Sequence, residues 1–219
     1  MPISRYNWLI WICLAVLAIH ANAASAEDSG KAAERELSKL LENYQTYQAD
    51  FTQSLVDDTG AQIQQAKGSL KAKRPGLFYW RSEPPLEQVI TADGKIVKVY
   101  DPDLLQLTLY PMDKKLSATP ALLLSGNVDG LAEAYEVSEQ EATPGAAFRL
   151  KPKNAESLFT SLTLHFEDGR LVEMRMHDSL DQRNTLRFSS IVINEPVDNA
   201  TFDLEVPDDV DVISNLESQ

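Results

Sequence analysis

Apolar and polar side chains alternate with a two-residue period through most of this sequence, and turn residues interrupt the alternation every few residues. Residues 51–56 show the pattern and end at the turn residues Asp57–Gly60. Successive strand residues face opposite sides of a sheet, so this alternation predicts half-buried strands. The predicted strands number eleven and lie near residues 51–56, 63–73, 77–81, 86–91, 95–101, 104–110, 135–140, 146–151, 158–166, 171–177 and 183–193.

The connections between the predicted strands are short. Ala92-Asp93-Gly94 and Glu167-Asp168-Gly169 each join two alternating segments, and both have the composition of a hairpin turn. Hairpins connect antiparallel neighbours, whereas parallel neighbours need longer crossovers. The sequence therefore predicts one antiparallel, meandering and strongly curved sheet.

Helical periodicity occurs in two places. Apolar residues recur at three- and four-residue steps between residues 28 and 44, which predicts an N-terminal amphipathic helix. Thr119-Pro120 precedes a run of leucines and is typical of a helix start, so a short central helix is expected there. A second short turn over Val128–Ala134 continues it. The expected fold class is mainly β with an α lid.

One face of this sheet is predicted to be apolar and the other polar. Leu105, Leu107 and Leu109 share one face of their strand, as do Leu164 and Phe166 in a later strand. One interpretation is an ordinary half-buried sheet that the two helices cover completely. The other is a cavity or groove that holds an apolar ligand, because eleven strands offer more apolar area than two helices can cover.

The stretch Leu70–Trp80 combines an arginine with a dense aromatic patch. Leu70 and Arg74 share a phase before Pro75, and Phe78 and Trp80 share one after it. If that phase faces inward, the Arg74 guanidinium needs a partner, since an uncompensated buried charge is costly. No acidic residue is close in sequence, so helix-end carbonyls are the natural acceptors. The alternative is a solvated arginine beside two surface lysines.

Residues 1–26 have the three parts of a secretory signal peptide. A positive charge at Arg5 precedes the apolar run Trp8–Ala18, and two small-residue sites follow. Cleavage is expected after Ala26, with Ala23 as the alternative, which leaves residues 27–219 as a single exported domain. The only cysteine, Cys13, lies inside the apolar run, so no disulfide and no cysteine-linked lipid anchor is expected.

The composition and the motifs of the sequence argue against several classes of function. A formal net charge of −13 argues against nucleic acid as a partner, because both surfaces are negative. The sequence contains no Gly-x-Ser-x-Gly elbow, no phosphate-binding glycine loop and no metal-ligand spacing. An enzyme is therefore not expected, and neither is a metal or another cofactor.

Several blocks occur in an order that resembles the LolA family, the periplasmic carriers of outer-membrane lipoproteins in Gram-negative bacteria. The resemblance covers nearly all of the expected exported domain. Its most specific blocks are Phe-Thr-Gln and Lys-Arg-Pro. The blocks are Ala49–Gln53, Gly68–Leu70, Lys73–Trp80, Asp93–Lys95, Val99–Pro102, Thr119-Pro120 and Asp181–Arg183.

The resemblance implies an unclosed antiparallel β-barrel of about eleven strands, covered by the N-terminal helix and the short central helices. Acyl chains of the cargo are expected in the apolar cavity between sheet and lid. Arg74 matches the family arginine that bonds to the lid backbone, so it is the predicted lid latch. The predicted cavity residues are Leu37, Leu41, Leu70, Phe78, Trp80, Leu107, Leu122, Leu124, Leu164 and Met174.

The resemblance also implies partners. The chain is expected to be a soluble periplasmic monomer that takes acylated lipoproteins from an ATP-driven inner-membrane release complex. It would pass them to the outer-membrane receptor LolB. One departure is Ala121, which stands where a larger apolar residue can occur. The alternative function is an exported β-domain that binds another protein or a different lipid through its apolar concave face.

Overall fold

The computed structural model describes residues 28–112, 120–126, 130–155 and 157–216. The predicted signal peptide at residues 1–26, the helix-start residue Thr119 and the turn residue Val128 lie outside this described part. No helix within the described part has both the length and the hydropathy that a membrane crossing requires.

One sheet contains all the described strands. Residues 28–42 form helix α1 before it, and Leu131–Ala134 form the short helix α2. A central 3-10 helix spans Pro120–Leu124 and a C-terminal 3-10 helix spans Asn199–Phe202. The strands are β1 (Thr46–Val56), β2 (Gln62–Lys73), β3 (Leu77–Ser82), β4 (Gln88–Asp93), β5 (Ile96–Asp101), β6 (Gln106–Pro111), β7 (Tyr135–Gln140), β8 (Ala146–Pro152), β9 (Phe159–Glu167), β10 (Arg170–Asp178), β11 (Arg183–Ile193) and β12 (Asp211–Ser214).

The sheet is open, which confirms the predicted unclosed antiparallel barrel. Its strand order is β12-β6-β5-β4-β3-β2-β1-β11-β10-β9-β8-β7, so β12 and β7 are the two edges. β1 lies in the middle and pairs with β2 and β11, which joins the two halves of the chain. All eleven predicted strands are present. The twelfth is β12, which runs parallel to β6 in the acidic tail, where no strand was predicted.

The inner face of the sheet carries the core. Leu70, Trp80, Ile90 and Val99 are cross-strand neighbours on β2, β3, β4 and β5. Helix α1 contributes its predicted apolar stripe to this core, and the central 3-10 helix contributes residues 121–124. The apolar inner face is therefore covered by the same two helical segments that the sequence predicts.

Two tyrosines, Tyr44 after α1 and Tyr47 in β1, attach this part of the chain to the β9–β10 hairpin. The Tyr44 hydroxyl donates to the Gly169 carbonyl at 2.7 Å and accepts from the Leu171 backbone N–H at 2.9 Å. The Tyr47 hydroxyl donates to the Leu171 carbonyl at 2.6 Å. Burial raises the pKa of Tyr44 to about 12 and raises that of Tyr47 further, so both stay neutral donors.

The segment after β11 packs on the outer face of the sheet. The Lys73 ammonium donates to the Val197 carbonyl at 2.9 Å and to the Asn199 side-chain oxygen at 2.6 Å. The C-terminal 3-10 helix contacts β3 and β4, and its Phe202 is 6% exposed. This cover explains why Thr91, an outward-facing residue of β4, is only 1% exposed.

Gly68 lets an aromatic pair form across the central strands. Gly68 faces Phe51 on β1, and the Phe51 ring stacks on Trp80 with centroids 3.7 Å apart and an interplanar angle of 23°. A Cβ atom at Gly68 would lie 2.0 Å from the Arg81 carbonyl oxygen and 2.8 Å from Phe51 Cζ. No side chain fits at this position without a shift of the backbone.

Gly68→Ala is therefore expected to lower the free energy of unfolding by about 2 kcal/mol, because overpacking of a filled site forces side chains and backbone apart. Urea denaturation followed by tryptophan fluorescence measures this. Gly130→Ala is the control, since a Cβ there meets no atom of the described residues within 4 Å. Equal stability of both variants would contradict the close packing at Gly68.

Candidate functional site

The sheet has two ends, which we call the hinge end and the mouth end. The hinge end contains the turn Arg74–Gly76 and the β4–β5 turn at Gly94. The mouth end contains the connections at residues 57–61, 83–87, 102–105 and 179–182. The central 3-10 helix is bonded at the hinge end, and its Ala121 reaches the cavity at the mouth end.

The Arg74–Gly76 turn bonds to the end of the central 3-10 helix at three carbonyls. Arg74 Nη1 donates to the Gly126 carbonyl at 2.6 Å, and Nη2 makes a long bond of 3.5 Å to the Leu123 carbonyl. The Gly76 backbone N–H donates to the Ser125 carbonyl at 2.7 Å. Carbonyls at a helix end lack intrahelical donors, and these bonds supply them.

The environment of Arg74 favours backbone partners over an ion pair. Burial lowers the pKa of the guanidinium, while the carboxylate of Glu42 on α1 opposes that shift. An arginine keeps its charge in spite of such a shift, because its ordinary pKa is so high. Within the described residues, the buried Arg74 Nε has no hydrogen-bond partner. Among the described residues, the guanidinium thus has one donor without an acceptor, which lowers the net stabilisation from its other hydrogen bonds.

The hinge turn is held tightly against the sheet. Gly76 has φ +78°, and a Cβ there would lie 2.5 Å from Gly94 Cα. Both the backbone conformation and the close approach require glycine. The Arg74 backbone N–H also donates to the Gln45 carbonyl at 2.9 Å, at the junction of α1 and β1. The turn therefore holds Arg74 and Gly76 in a fixed position beside the 3-10 helix.

A cavity of about 530 Å³ lies at the mouth end, on the inner face of the sheet, and opens to solvent. Its volume is in the range of about 300–1,000 Å³ that ligand sites usually have. The cavity has an apolar floor, and side chains with amide, hydroxyl and carboxylate groups surround the opening. The floor residues are Trp80, Ile90, Ala121, Leu162, Met174 and Leu186.

The structure brings only some of the predicted cavity residues to this opening. Trp80 and Met174 line the cavity and are 7% and 2% exposed. Seven others are packed in the core beneath the helices, each at most 1% exposed, and do not line the cavity. These are Leu37, Leu41, Leu70, Phe78, Leu122, Leu124 and Leu164.

The prediction for Leu107 is wrong, because this residue lies on the outer face of the sheet. Leu107 pairs with Tyr100, which places it on the same face as the exposed Arg81 on β3. Its neighbour Thr108 pairs with Val99 and takes the inner position. Leu105, predicted to share the apolar face, instead lies in the β5–β6 turn with φ +49°. The leucine alternation thus follows the outer face of β6.

Several cavity residues were not predicted. Leu162 and Met176 share the strand phases of Leu164 and Met174, so the alternation contained a signal for both. The amide side chains of the cavity gave no such signal, because amides are equally common at solvent-facing positions. The residues that carry them are Gln53, Gln64, Gln88 and Asn184. Within the described ranges, no group of three or more His, Cys, Asp or Glu side chains could hold a metal ion.

The sequence is similar to known proteins over most of its length. Residues 42–205 match the family model described as outer membrane lipoprotein carrier protein LolA. An outer-membrane lipoprotein carrier protein from Hahella chejuensis is 44% identical over 202 residues, which are 91% of this chain and 97% of the relative. One from Chromohalobacter salexigens is 42% identical over 91% of this chain and 95% of the relative.

Solved structures support the fold alone. An uncharacterized conserved protein from Thermus thermophilus superposes with a TM-score of 0.52 at 15% identity, over 84% of this chain and 99% of the other. A LolA superfamily protein from Nitrosomonas europaea gives a TM-score of 0.50 at 11% identity, over 80% of this chain and 98% of the other.

Filling the cavity is expected to weaken uptake of an apolar ligand without unfolding the protein. Met176→Trp adds a large ring to a half-buried wall residue, whereas Met176→Leu conserves volume and serves as the control. Fluorescence enhancement of an apolar naphthylamine dye measures uptake. We expect at least a fivefold loss of dye affinity for the tryptophan variant only. Unchanged dye affinity in both variants would show that the dye binds outside this cavity.

Proposed function

The chain belongs to the LolA family of outer membrane lipoprotein carrier proteins, and we propose that it carries acylated lipoproteins through the periplasm to an outer-membrane receptor. The observation that supports this function best is the apolar cavity of about 530 Å³ beneath a 3-10 helix that Arg74 and Gly76 bond to the sheet. The proposed activity is reversible binding and release of acyl chains.

Acyl chains need a substitute for the membrane interior. Burial of each methylene contributes about 0.8 kcal/mol, so a chain of ordinary length needs on the order of ten kcal/mol of replacement burial. The floor of the cavity offers apolar contacts from Trp80, Leu162 and Met174. A carrier with this surface would keep the lipid part of the cargo out of water during transfer.

The remaining predicted cavity residues have a role in this proposal once the central 3-10 helix moves. Leu122 and Leu124 are fully buried in the core, while Ala121 of the same helix forms part of the cavity wall. Displacement of this helix would extend the cavity into the core, toward Phe78 and Leu164 of the opposite walls. Acyl chains would then replace the leucine side chains as the apolar filling.

Arg74 acts as the latch in this mechanism. Hydrogen bonds that involve a charged group contribute about 1.5–3 kcal/mol each, so the bonds to Gly126 and Leu123 favour the closed helix. The cargo must compete with these bonds, which weakens its binding and favours its release.

The proposed partners follow from the family. The carrier takes its cargo from an ATP-driven release complex in the inner membrane and delivers it to LolB. It works as a soluble monomer, after removal of the predicted signal peptide. Addition of the purified carrier to spheroplasts tests the function directly, since a functional carrier releases newly made lipoproteins into the medium. Absence of release would contradict the proposal.

Arg74→Leu is expected to hold cargo more firmly and to transfer it poorly, because the open form no longer competes with a latched form. Transfer of a labelled lipoprotein from the carrier to outer-membrane vesicles containing LolB measures this, and we expect at least a tenfold slower transfer. Arg81→Leu is the control, since Arg81 lies on the outer face and pairs with Glu87 at 2.7 Å. Normal transfer by the Arg74 variant would exclude the latch.

A further inference from the structure

Amide side chains line one wall of the cavity, next to its apolar floor. Gln53 lies on the inner face of β1, two residues from the Phe51 ring that stacks on Trp80. Asn184 lies on the inner face of β11, and Gln53 Nε2 donates to Asn184 Oδ1 at 3.1 Å. Gln64 of β2 lines the same cavity. We call Gln53, Gln64 and Asn184 the amide wall.

The amide wall has unused hydrogen-bonding capacity. Within the described part of the chain, Gln53 Oε1, Asn184 Nδ2 and the whole Gln64 amide have no protein hydrogen-bond partner. An amide side chain has two N–H donors and a carbonyl acceptor. The wall therefore presents both donors and acceptors to whatever occupies the cavity.

The described part of the cavity lining has no cationic side chain beside these amides. The described residues that line the cavity include no Lys, Arg or His, whereas Glu87, Asp101 and Asp103 contribute carboxylates near the opening. Phosphate recognition in proteins usually relies on arginine or lysine, because their charge-assisted hydrogen bonds are the strong ones. Among the described lining residues, a phosphodiester group would meet carboxylates and no cationic side chain. Neutral polar groups meet no such penalty.

We propose that the amide wall is a subsite for the neutral ester and amide groups that connect acyl chains to the cargo peptide. The inference rests on the proposed function and adds to it the chemical basis of its selectivity. Ester carbonyls accept hydrogen bonds from Asn184 and Gln64, and an amide N–H of the cargo donates to Gln53 Oε1. The chains themselves occupy the apolar floor.

The position of the wall fits this assignment. Gln53 and Leu186 are cross-strand partners, as are Asn184 and Met176, so each amide lies directly beside an apolar residue of the cavity. A ligand that is apolar along most of its length and carries carbonyls at one end matches this boundary. The ester carbonyls of a phospholipid would match the same boundary, so the proposed preference for an acylated peptide rests on the carboxylates of Glu87, Asp101 and Asp103, which disfavour a phosphodiester.

Gln53→Leu and Asn184→Leu test the subsite. The probes are a synthetic lipopeptide with an N-acylated, diacylglyceryl-modified cysteine, an apolar naphthylamine dye, and phosphatidylglycerol. Each variant is expected to bind the lipopeptide about fivefold to tenfold more weakly, the effect of losing one net hydrogen bond. Its affinity for the dye, which has no carbonyl, should not fall, because leucine adds apolar surface to the cavity. Gln65→Leu is the matched control, because Gln65 is exposed on the outer face beside Gln64.

The outcomes are distinguishable. Unchanged lipopeptide affinity in both variants would overturn the subsite, and so would an equal loss for lipopeptide and dye, since that indicates damage to the cavity as a whole. Binding of phosphatidylglycerol by the wild type as tightly as the lipopeptide would overturn the proposed selectivity. A wild type that takes up the dye but not the lipopeptide would instead contradict the proposed carrier function.

Discussion

Three hydrogen bonds between the Arg74–Gly76 turn and the carbonyls of Leu123, Ser125 and Gly126 join the sheet to the helix that covers its inner face. The sheet side of this contact is rigid, because Gly76 and Gly94 pack backbone to backbone. The helix side is a short 3-10 segment, whose hydrogen-bond geometry is poorer than that of an α-helix. The cover therefore depends on bonds to the turn as much as on its own structure.

This arrangement connects two places in the molecule. Ala121 forms part of the cavity wall at the mouth end, and Gly126 is bonded at the hinge end, only five residues later along the same segment. A 3-10 helix rises about 2 Å per residue, so Ala121 lies only about 6 Å along the axis from the end of the helix at Leu124. Motion at one end of so short a segment moves the other end. In the proposed mechanism, the bonds of Arg74 and the volume available to an acyl chain are thus physically linked.

The sequence predicted the fold well, because strand alternation and hairpin turns are local signals. The predicted apolar face was wrong at β6. Leu107 and Leu109 lie on the outer face there, and Thr108 lies on the inner face opposite Val99. Register with the neighbouring strand decided this, and register cannot be read from one strand alone. It also missed β12, which exists only through its pairing with β6. Trp80 and Met174 line the observed cavity, whereas seven other predicted residues are buried in the core, because alternation cannot separate a cavity wall from a filled core. Gln53 was not predicted as a cavity residue, because a polar side chain alone indicates the solvent-facing side of a strand.

The most direct test of the account is the hydrogen exchange of the Gly76 amide, whose N–H donates to the Ser125 carbonyl at 2.7 Å. Nuclear magnetic resonance can follow this amide in the empty protein and in the protein loaded with a lipopeptide. The account predicts that it is protected in the empty protein and exchanges at least tenfold faster when cargo is bound, because the 3-10 helix has left the turn. Equal protection in both states would contradict the claim that the Arg74–Gly76 turn holds the cover closed and releases it to admit acyl chains.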